Sequence, residues 1–563
     1  MVNLGSKPLE DILKFVIGVV LVVLINQVAH FRFVRIDLTE DKRFTIKEST
    51  VELMESLDDV VYVEIFLEGD FPAEFQPLQR AIRESLEEFQ TYAGSNIQFK
   101  FTDPDQANSG KSKNEYFQYL ANNGIRPTNA IKTEKGKKVE KLIFPGALVT
   151  YGAESVGVML FKGNRGVAYL ERINQSAEGV EYELALSIQK LTSGEKKKIA
   201  VITGHNEIDG DDIASIKNVL IDSYQLFQVD LTKRKVLEGY DAILVVKPET
   251  SFSEADKYKI DQFIMSGGKA LFFIDALRVR MDSAGDDGTL AVPYQLNLSD
   301  MLFKYGVRIN NDLVQDLNSG VYPVITGYSG DQSQLRFLPW PFHPVINYFG
   351  DHPMVRNMDA LSGRFVSSID TVKASGIKKT PILYSSPYSR KIATPVRVSF
   401  NDFRQPPDPA LFNAGPIPIA YLLEGEFASA FKNKILPHGV ERQNFQEQGN
   451  PSKILVCGDG DLIRNEISVE NNQPLQLGFE QFTKETFANE DFVVNAINYL
   501  LDEDGLITAR NKKITIRPLD KVKLESGKLG WQLFNLLGPL LLLILFGLGK
   551  YFMRKRKYAR LAP

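Results

Sequence analysis

DAILVVKPETSFSEADKYKIDQFIMSGGKALFFID, residues 241–275, decides the fold of this chain. Asp241 to Glu249 is a mostly apolar run, the pattern of a strand covered on both faces. Ser253 and Asp256 have the spacing of a helix cap. Tyr258, Ile260, Phe263 and Ile264 carry the helix, and Gly267 and Gly268 end it. KALFFID then forms a second apolar strand closing at Asp275. Strand, helix and strand at these lengths build a parallel sheet.

The same pattern extends in both directions. Upstream, a strand from Lys198 to Thr203 leads through Gly204 and His205 to a helix over Asp211–Ile221 and a strand near Leu226–Leu231. Downstream, KILVCGDGD (Lys453–Asp461) and a helix near Asp491–Leu501 return to the same sheet. The expected fold class is α/β, with a doubly wound sheet over residues 195–511. A long elaboration from Ala276 to about Gln405, rich in Pro, Ser and aromatics, interrupts it.

Residues 37–194 read as a first α/β domain. Thr45 and Glu48 make a T-x-x-E capping box before a helix carrying Val51, Met54 and Leu57. VVYVEIFLE is a strand, Leu78, Ile82, Leu86 and Phe89 line a helix, and IQFKFTDPD alternates as a strand. A short helix at Glu115–Ala121, a hairpin turning at Lys135–Lys138 and a helix over Val180–Leu191 complete it. The arrangement resembles thioredoxin, without the cysteine pair that a redox role requires.

Apolar segments flank these domains. WQLFNLLGPLLLLILFGLGKYFMRKR, from Trp531 to Arg556, is long enough to cross a hydrocarbon core, and Arg554–Lys557 follows as a basic stop that marks the cytoplasmic side. Phe15–Ala29 is a second, shorter segment with no A-x-A cleavage site, read as an uncleaved anchor. The expected spans are 12–34 and 531–553, with 512–530 as a polar connector. Arg32, Arg35, Lys42 and Arg43 lie beyond the first span and, counted alone, oppose that orientation. Long translocated domains override such local counts, so both termini are placed in the cytoplasm and the bulk of the chain in the periplasm, at a bacterial inner membrane.

The net charge of −4 over 563 residues excludes a general nucleic-acid binder. The single cysteine, Cys457, excludes an intrachain disulfide and a cysteine zinc cluster, and its apolar surroundings make it a core residue. Five scattered histidines without HExxH give no metal motif, and neither a Walker lysine nor a G-x-S-x-G elbow is present, so no metal, cofactor or catalytic set is assigned. LPWPFHPVIN (Leu338–Asn347) is a stiff aromatic ribbon that either faces a partner or packs in its own domain.

Ligands of open parallel sheets bind beyond the carboxyl ends of the strands. The residues there are Gly204, His205, Asn206 and Glu207, then Glu249 with Thr250, then Asp275. Together they offer an imidazole and several carboxylates. The plain alternative is that GHNE is a tight loop capping the next helix. Gly458–Asp461 (GDGD) is a weaker phosphate- or cation-binding signal.

DLTEDKRFTIKEST, VITGHNE, FIMSGGKALFFID, YGVRINNDLVQD, FLPWPFHPVIN, KKTPILYSSPYSR, FASAFKNK and the C-terminal anchor, in this order, resemble the GldG-type auxiliary subunit of gliding-motility ABC transporters over essentially the whole chain. The resemblance implies an inner-membrane protein beside permease and ATPase subunits of the GldF and GldA type, with an unidentified small-molecule or cell-envelope ligand. It also implies that residues 195–511 are similar to glutamine-amidotransferase-like folds and to a domain of intraflagellar-transport proteins, here without the nucleophilic cysteine elbow. The expected function is a non-enzymatic auxiliary subunit. The alternatives are a membrane-tethered hydrolase using His205, Glu207 and Asp275, and a cell-envelope scaffold that binds no ligand.

Overall fold

The computed structural model describes residues 13–24, 45–106, 112–134, 137–279, 288–329, 332–399, 407–441, 443–511 and 521–559. The chain divides into two compact units, residues 1–514 and 515–563.

Among the described residues, helix α1 covers the largely apolar stretch Leu13–Leu24. Residues 25–34 of the expected first anchor, and the charges at Arg32 to Arg43, lie outside the described residues. Helix α2 (Glu48–Glu55) follows Lys47, which contributes no side-chain cap. The expected box between Thr45 and Glu48 is replaced by a distant carboxylate. Glu181 accepts the Lys47 N–H at 2.7 Å and the Thr50 hydroxyl at 3.1 Å. An acid brought in by tertiary packing thus holds the N-cap N–H and places its charge at the positive end of the helix.

Strand β1 (Val61–Ile65), helix α3 (Gln76–Ala93) and strand β2 (Ile97–Phe101) form a β-α-β unit with β1 and β2 parallel. Ser112 and Glu115 make a reciprocal capping box at the start of α4 (Lys113–Asn122). Strands β3 (Thr128–Glu134) and β4 (Lys137–Ile143) are the expected hairpin, the two residues between them lying outside the described set. Strands β5 (Gly146–Tyr151) and β6 (Glu154–Met159) extend the first sheet to the order β2-β1-β5-β6. Helix α5 runs over Tyr169–Thr192, twice the length legible in the sequence, because its first turns are largely polar and contain Gly179. Leu78, Ile82, Leu86 and Phe89 of α3 share one core with Val180, Leu184 and Ile188 of α5.

The second sheet has eight strands. Five are parallel: β7 (Lys198–Thr203), β8 (Gln225–Asp230), β9 (Ala242–Val246), β10 (Lys269–Phe273) and the strand Gln448–Cys457. Helix α6 (Ala214–Ile221) packs on the face that carries Ile199, Val201 and Leu244. Helix α7 (Glu254–Met265) packs on the opposite face, with Ala200, Ile202 and Ile243. Alternating side chains of fully buried strands supply both cores.

The sheet is mixed rather than wholly parallel. Strands Ile377–Tyr384 and Tyr348–Phe349 from the elaboration, with Pro418–Ala428 beyond its end, add antiparallel at one edge. This explains the length of the 448–457 strand: its second half pairs with β10, while its whole length lies along 418–428. The aromatic ribbon lies in the strand Gln332–Ile346, where Trp340 and Phe342 are buried with Leu313, Phe365 and Val398.

The described residues of the second unit form a helix, Lys521–Ala559. Within it, Gly527–Arg556 has the length and composition to cross a membrane. Residues 521–530, expected as connector, are helical; residues 512–520 lie outside the described set.

Candidate functional site

Strand β7 lies between β8 and β9 in the sheet. The chain leaves β7 for β8 on one side and then crosses back to β9 on the other, so strand order reverses between β7 and β9. In this class of sheet the crevice beyond that reversal is the ordinary ligand position. Gly204, with φ +116°, and Asn206, with φ +57°, turn the chain sharply out of β7 and bring His205 into the crevice.

The crevice is filled by the protein itself. His205 is 3% exposed. Its ring stacks on Phe252 with centroids 3.7 Å apart and planes 13° from parallel. Nδ1 lies 3.3 Å from Glu207 Oε1, and Nε2 lies 3.2 Å from Asp256 Oδ2. Glu207 Oε2 also accepts the His205 N–H at 2.6 Å, and the His205 carbonyl accepts the N–H groups of Glu249 and Thr250. Asn206 donates its amide to Glu249 Oε2 at 2.6 Å. Asp256 is held by Ser253 and by Lys259, whose Nζ is 2.7 Å away. Burial works to lower the His205 pKa, but the hydrogen bonds and charges of Glu207 and Asp256 together raise it above the ordinary value. His205, Asn206, Glu207 and Glu249 thus form one network that ties the β7 and β9 loops together, while Gly204 supplies the turn and lies against Asp230 and Thr232.

Asp275 belongs to a different network. Its Oδ2 pairs with Lys247 Nζ at 2.9 Å, and its Oδ1 accepts the Gly460 N–H at 2.6 Å. The same ammonium lies 2.6 Å from Asp461. Asp459 completes a set of three carboxylates with oxygens within 4.8 Å of one another. Lys247 ends β9 in a left-handed conformation, φ +46°, which turns the loop as it leaves the sheet. Gly460 packs so closely that a Cβ there would lie 2.8 Å from the Lys247 side chain. Burial raises the Asp275 pKa, and Lys247 opposes it. Burial raises that of Asp459 well above the carboxylate range. Burial also works to raise Asp461, but Lys247 and the arginines 364 and 464 outweigh it and lower the value. These oxygens are of the kind that hold a hard cation, and Lys247 already supplies a positive charge among them.

Asp461 opens onto a cavity of about 690 Å³. One wall is Ser319–Tyr322 and His343; the other is the segment Asp461–Ile467 with Gly478–Phe487. Arg364 pairs with Glu466, and Arg464 Nε donates to Asp212 at 2.9 Å. Tyr322 and Phe482 meet across the cavity, ring centroids 6.1 Å apart. Ser319 Oγ and His343 Nε2 are buried without a hydrogen-bond partner among the described residues. Burial holds His343 far below the usual imidazole pKa, so the ring is neutral.

Sequence reasoning named Gly204–Glu207, Glu249, Asp275 and the GDGD turn, but not Asp256, Lys247, Arg364, Ser319 or His343 as members of these networks. Lys247 carried a signal, being a lone cation at the end of an otherwise apolar strand. The others converge from segments distant in sequence.

A model for a "Domain of unknown function" matches residues 40–150, which include helices α2 to α4 and run into strand β5. An "Uncharacterized protein" of Borreliella burgdorferi (strain ATCC 35210 / DSM 4680 / CIP 102532 / B31) is 20% identical over 97% of this chain and 99% of its own length. The solved "mmIFT52 N-terminal domain" is 14% identical, covering 54% of this chain and 97% of its own, with a TM-score of 0.30. The model described as "ABC-type uncharacterized transport system" matches residues 196–496, the eight-stranded sheet with both networks and the cavity. That match spans just over half of the sequence, and the chain belongs to this family of ABC transport auxiliary components.

Proposed function

We propose that this protein is a non-enzymatic, membrane-anchored auxiliary subunit of an ABC transport complex, of the GldG type associated with gliding motility. In this reading both termini are cytoplasmic and anchored in the inner membrane. The thioredoxin-like domain (37–194) and the amidotransferase-like domain (195–511) stand in the periplasm, where they bind a ligand or partner and couple it to a permease and ATPase of the GldF and GldA type. The observation that carries the reading is the family match over the eight-stranded sheet, in a chain that ends in a 30-residue apolar helix. A fixed anchor suits a subunit working against a permease rather than a diffusing carrier.

The hydrolase alternative is less well supported. A substrate at His205 would have to displace Phe252, and both imidazole nitrogens already face protein carboxylates. The test is genetic: deleting this chain and deleting the permease it is proposed to serve should give the same transport or gliding defect, each restored by its own gene. Distinct defects would contradict a shared complex.

A further inference from the structure

The cavity beside Asp461 is bounded along one side by the terminal strand of a sheet. Among the described residues, strand Ser319–Ser329 is outermost in a sheet whose other members are Gln332–Ile346 and Leu361–Ser362. Its residues Ser319 to Tyr322 line the cavity. A terminal strand presents backbone N–H and C=O groups away from its neighbour. Pairing within the ribbon is irregular here: Ser319 is opposite Pro344 while Val321 is opposite Pro339, so the partner strand bulges over the intervening residues and brings His343 beside Gly320. Bulges of this kind re-aim side chains at sites.

The lining also limits what can enter. Arg364 is committed to Glu466, Arg464 to Asp212, and Asp461 to Lys247. The amides of Asn465 and Asn489 hold backbone carbonyls, and Glu480 holds the N–H groups of Phe482 and Thr483. Apart from the exposed Glu485, the charged side chains of the walls are neutralised or engaged by the protein. A phosphate would find no uncommitted cation among them. The lining also offers a strand edge, the neutral groups Ser319 Oγ and His343 Nε2, and the aromatic rings of Tyr322, Phe479 and Phe482. A main-chain edge beside side-chain pockets is the chemistry that accepts an added strand.

We infer that the Ser319–Tyr322 edge receives an extended, uncharged polypeptide segment of a partner protein, added as a strand, with one apolar side chain seated against Tyr322 and Phe482. This rests on the reading of the chain as a partner-binding subunit of a transport complex. Four residues of edge span roughly 13 Å, enough for a short segment. Pro323 ends the stretch, since its ring offers no N–H, and confines pairing to the part of the edge inside the cavity.

The test uses the full chain in its native membrane. p-Benzoylphenylalanine replaces Phe482, an aromatic residue for another, and the cells are irradiated before purification. The expected result is an adduct to a polypeptide of the transport complex, mapped by mass spectrometry to an extended segment. Its yield should fall about tenfold or more when Gly320→Leu fills the cavity, the effect of losing one to two backbone hydrogen bonds. A Cβ at Gly320 meets nothing nearer than the His343 carbonyl at 3.8 Å, so this variant has room to fold. Val321→Pro, which removes one backbone N–H, should act in the same direction, and thermal unfolding verifies that both variants are folded. Co-purifying permease without an adduct at 482 would overturn the strand-addition site and leave the transporter reading intact. An adduct whose mass is a saccharide or lipid, or whose yield is unchanged in folded Gly320→Leu, would also overturn it. Loss of both permease and adduct would count against the transporter reading itself.

Discussion

The His205 imidazole lies face to face with the Phe252 ring, centroids 3.7 Å apart. This contact occupies the place where a doubly wound sheet ordinarily receives its ligand. His205 is therefore a strut between the β7 and β9 loops, with Glu207 and Asp256 holding its two nitrogens.

His205→Ala should lower stability by about 2–4 kcal/mol, because it takes one partner from each of two buried carboxylates and removes the stacked ring. Denaturant unfolding of the detergent-solubilised protein measures this. A variant with unchanged stability and abolished function would instead point to the hydrolase.

The pH dependence has a definite sign. The native His205 pKa is raised above its unfolded value by Glu207 and Asp256, against the opposing effect of burial. Its contribution to stability is fully present below the unfolded pKa of about 6.5 and is lost as pH rises through the native value. The stability gap between the wild type and His205→Gln should therefore be widest in mildly acid solution and narrow as pH rises through and above neutrality. A gap that widens with pH would contradict the assignment.

Lys247→Met should cost about 3–5 kcal/mol, since it strips the counter-ion from a buried set of carboxylates. Lys247→Met combined with Asp461→Asn should recover part of that loss. The comparison of unfolding midpoints for the single and double variants tests the coupling, and purely additive losses would show that the ion pair at 2.6 Å carries none.

Cys457 is buried in the 448–457 strand, and burial, with the charge of Asp459 adding to it, pushes its thiol well above the usual range. A thiol reagent should modify it at least ~100-fold more slowly in the native protein than in denaturant, since reaction requires opening a core strand. Equal rates would place the strand outside the core.

The alternating α/β pattern was legible from Lys198 to Asp275, because strands buried on both faces leave continuous apolar runs between well-marked helix ends. Helix α5 was half hidden because its first turns carry few apolar side chains, and the α2 cap was misplaced because Glu181 comes from 134 residues away from Lys47. The three antiparallel strands at the sheet edge were not legible either. Ile377–Tyr384 has a mostly half-buried pattern that marks an element without naming its neighbours. At the site, local sequence placed His205 and Glu207 together but grouped Asp275 with them. Only the fold shows that Lys247 draws Asp275 toward Asp461.

The central claim is association with a permease and its ATPase. Affinity purification of the full chain from its native membrane in mild detergent tests it most directly. The account predicts recovery of both partners in fixed ratio with the chain. Recovery of the chain alone, from membranes in which the permease is present, would contradict it.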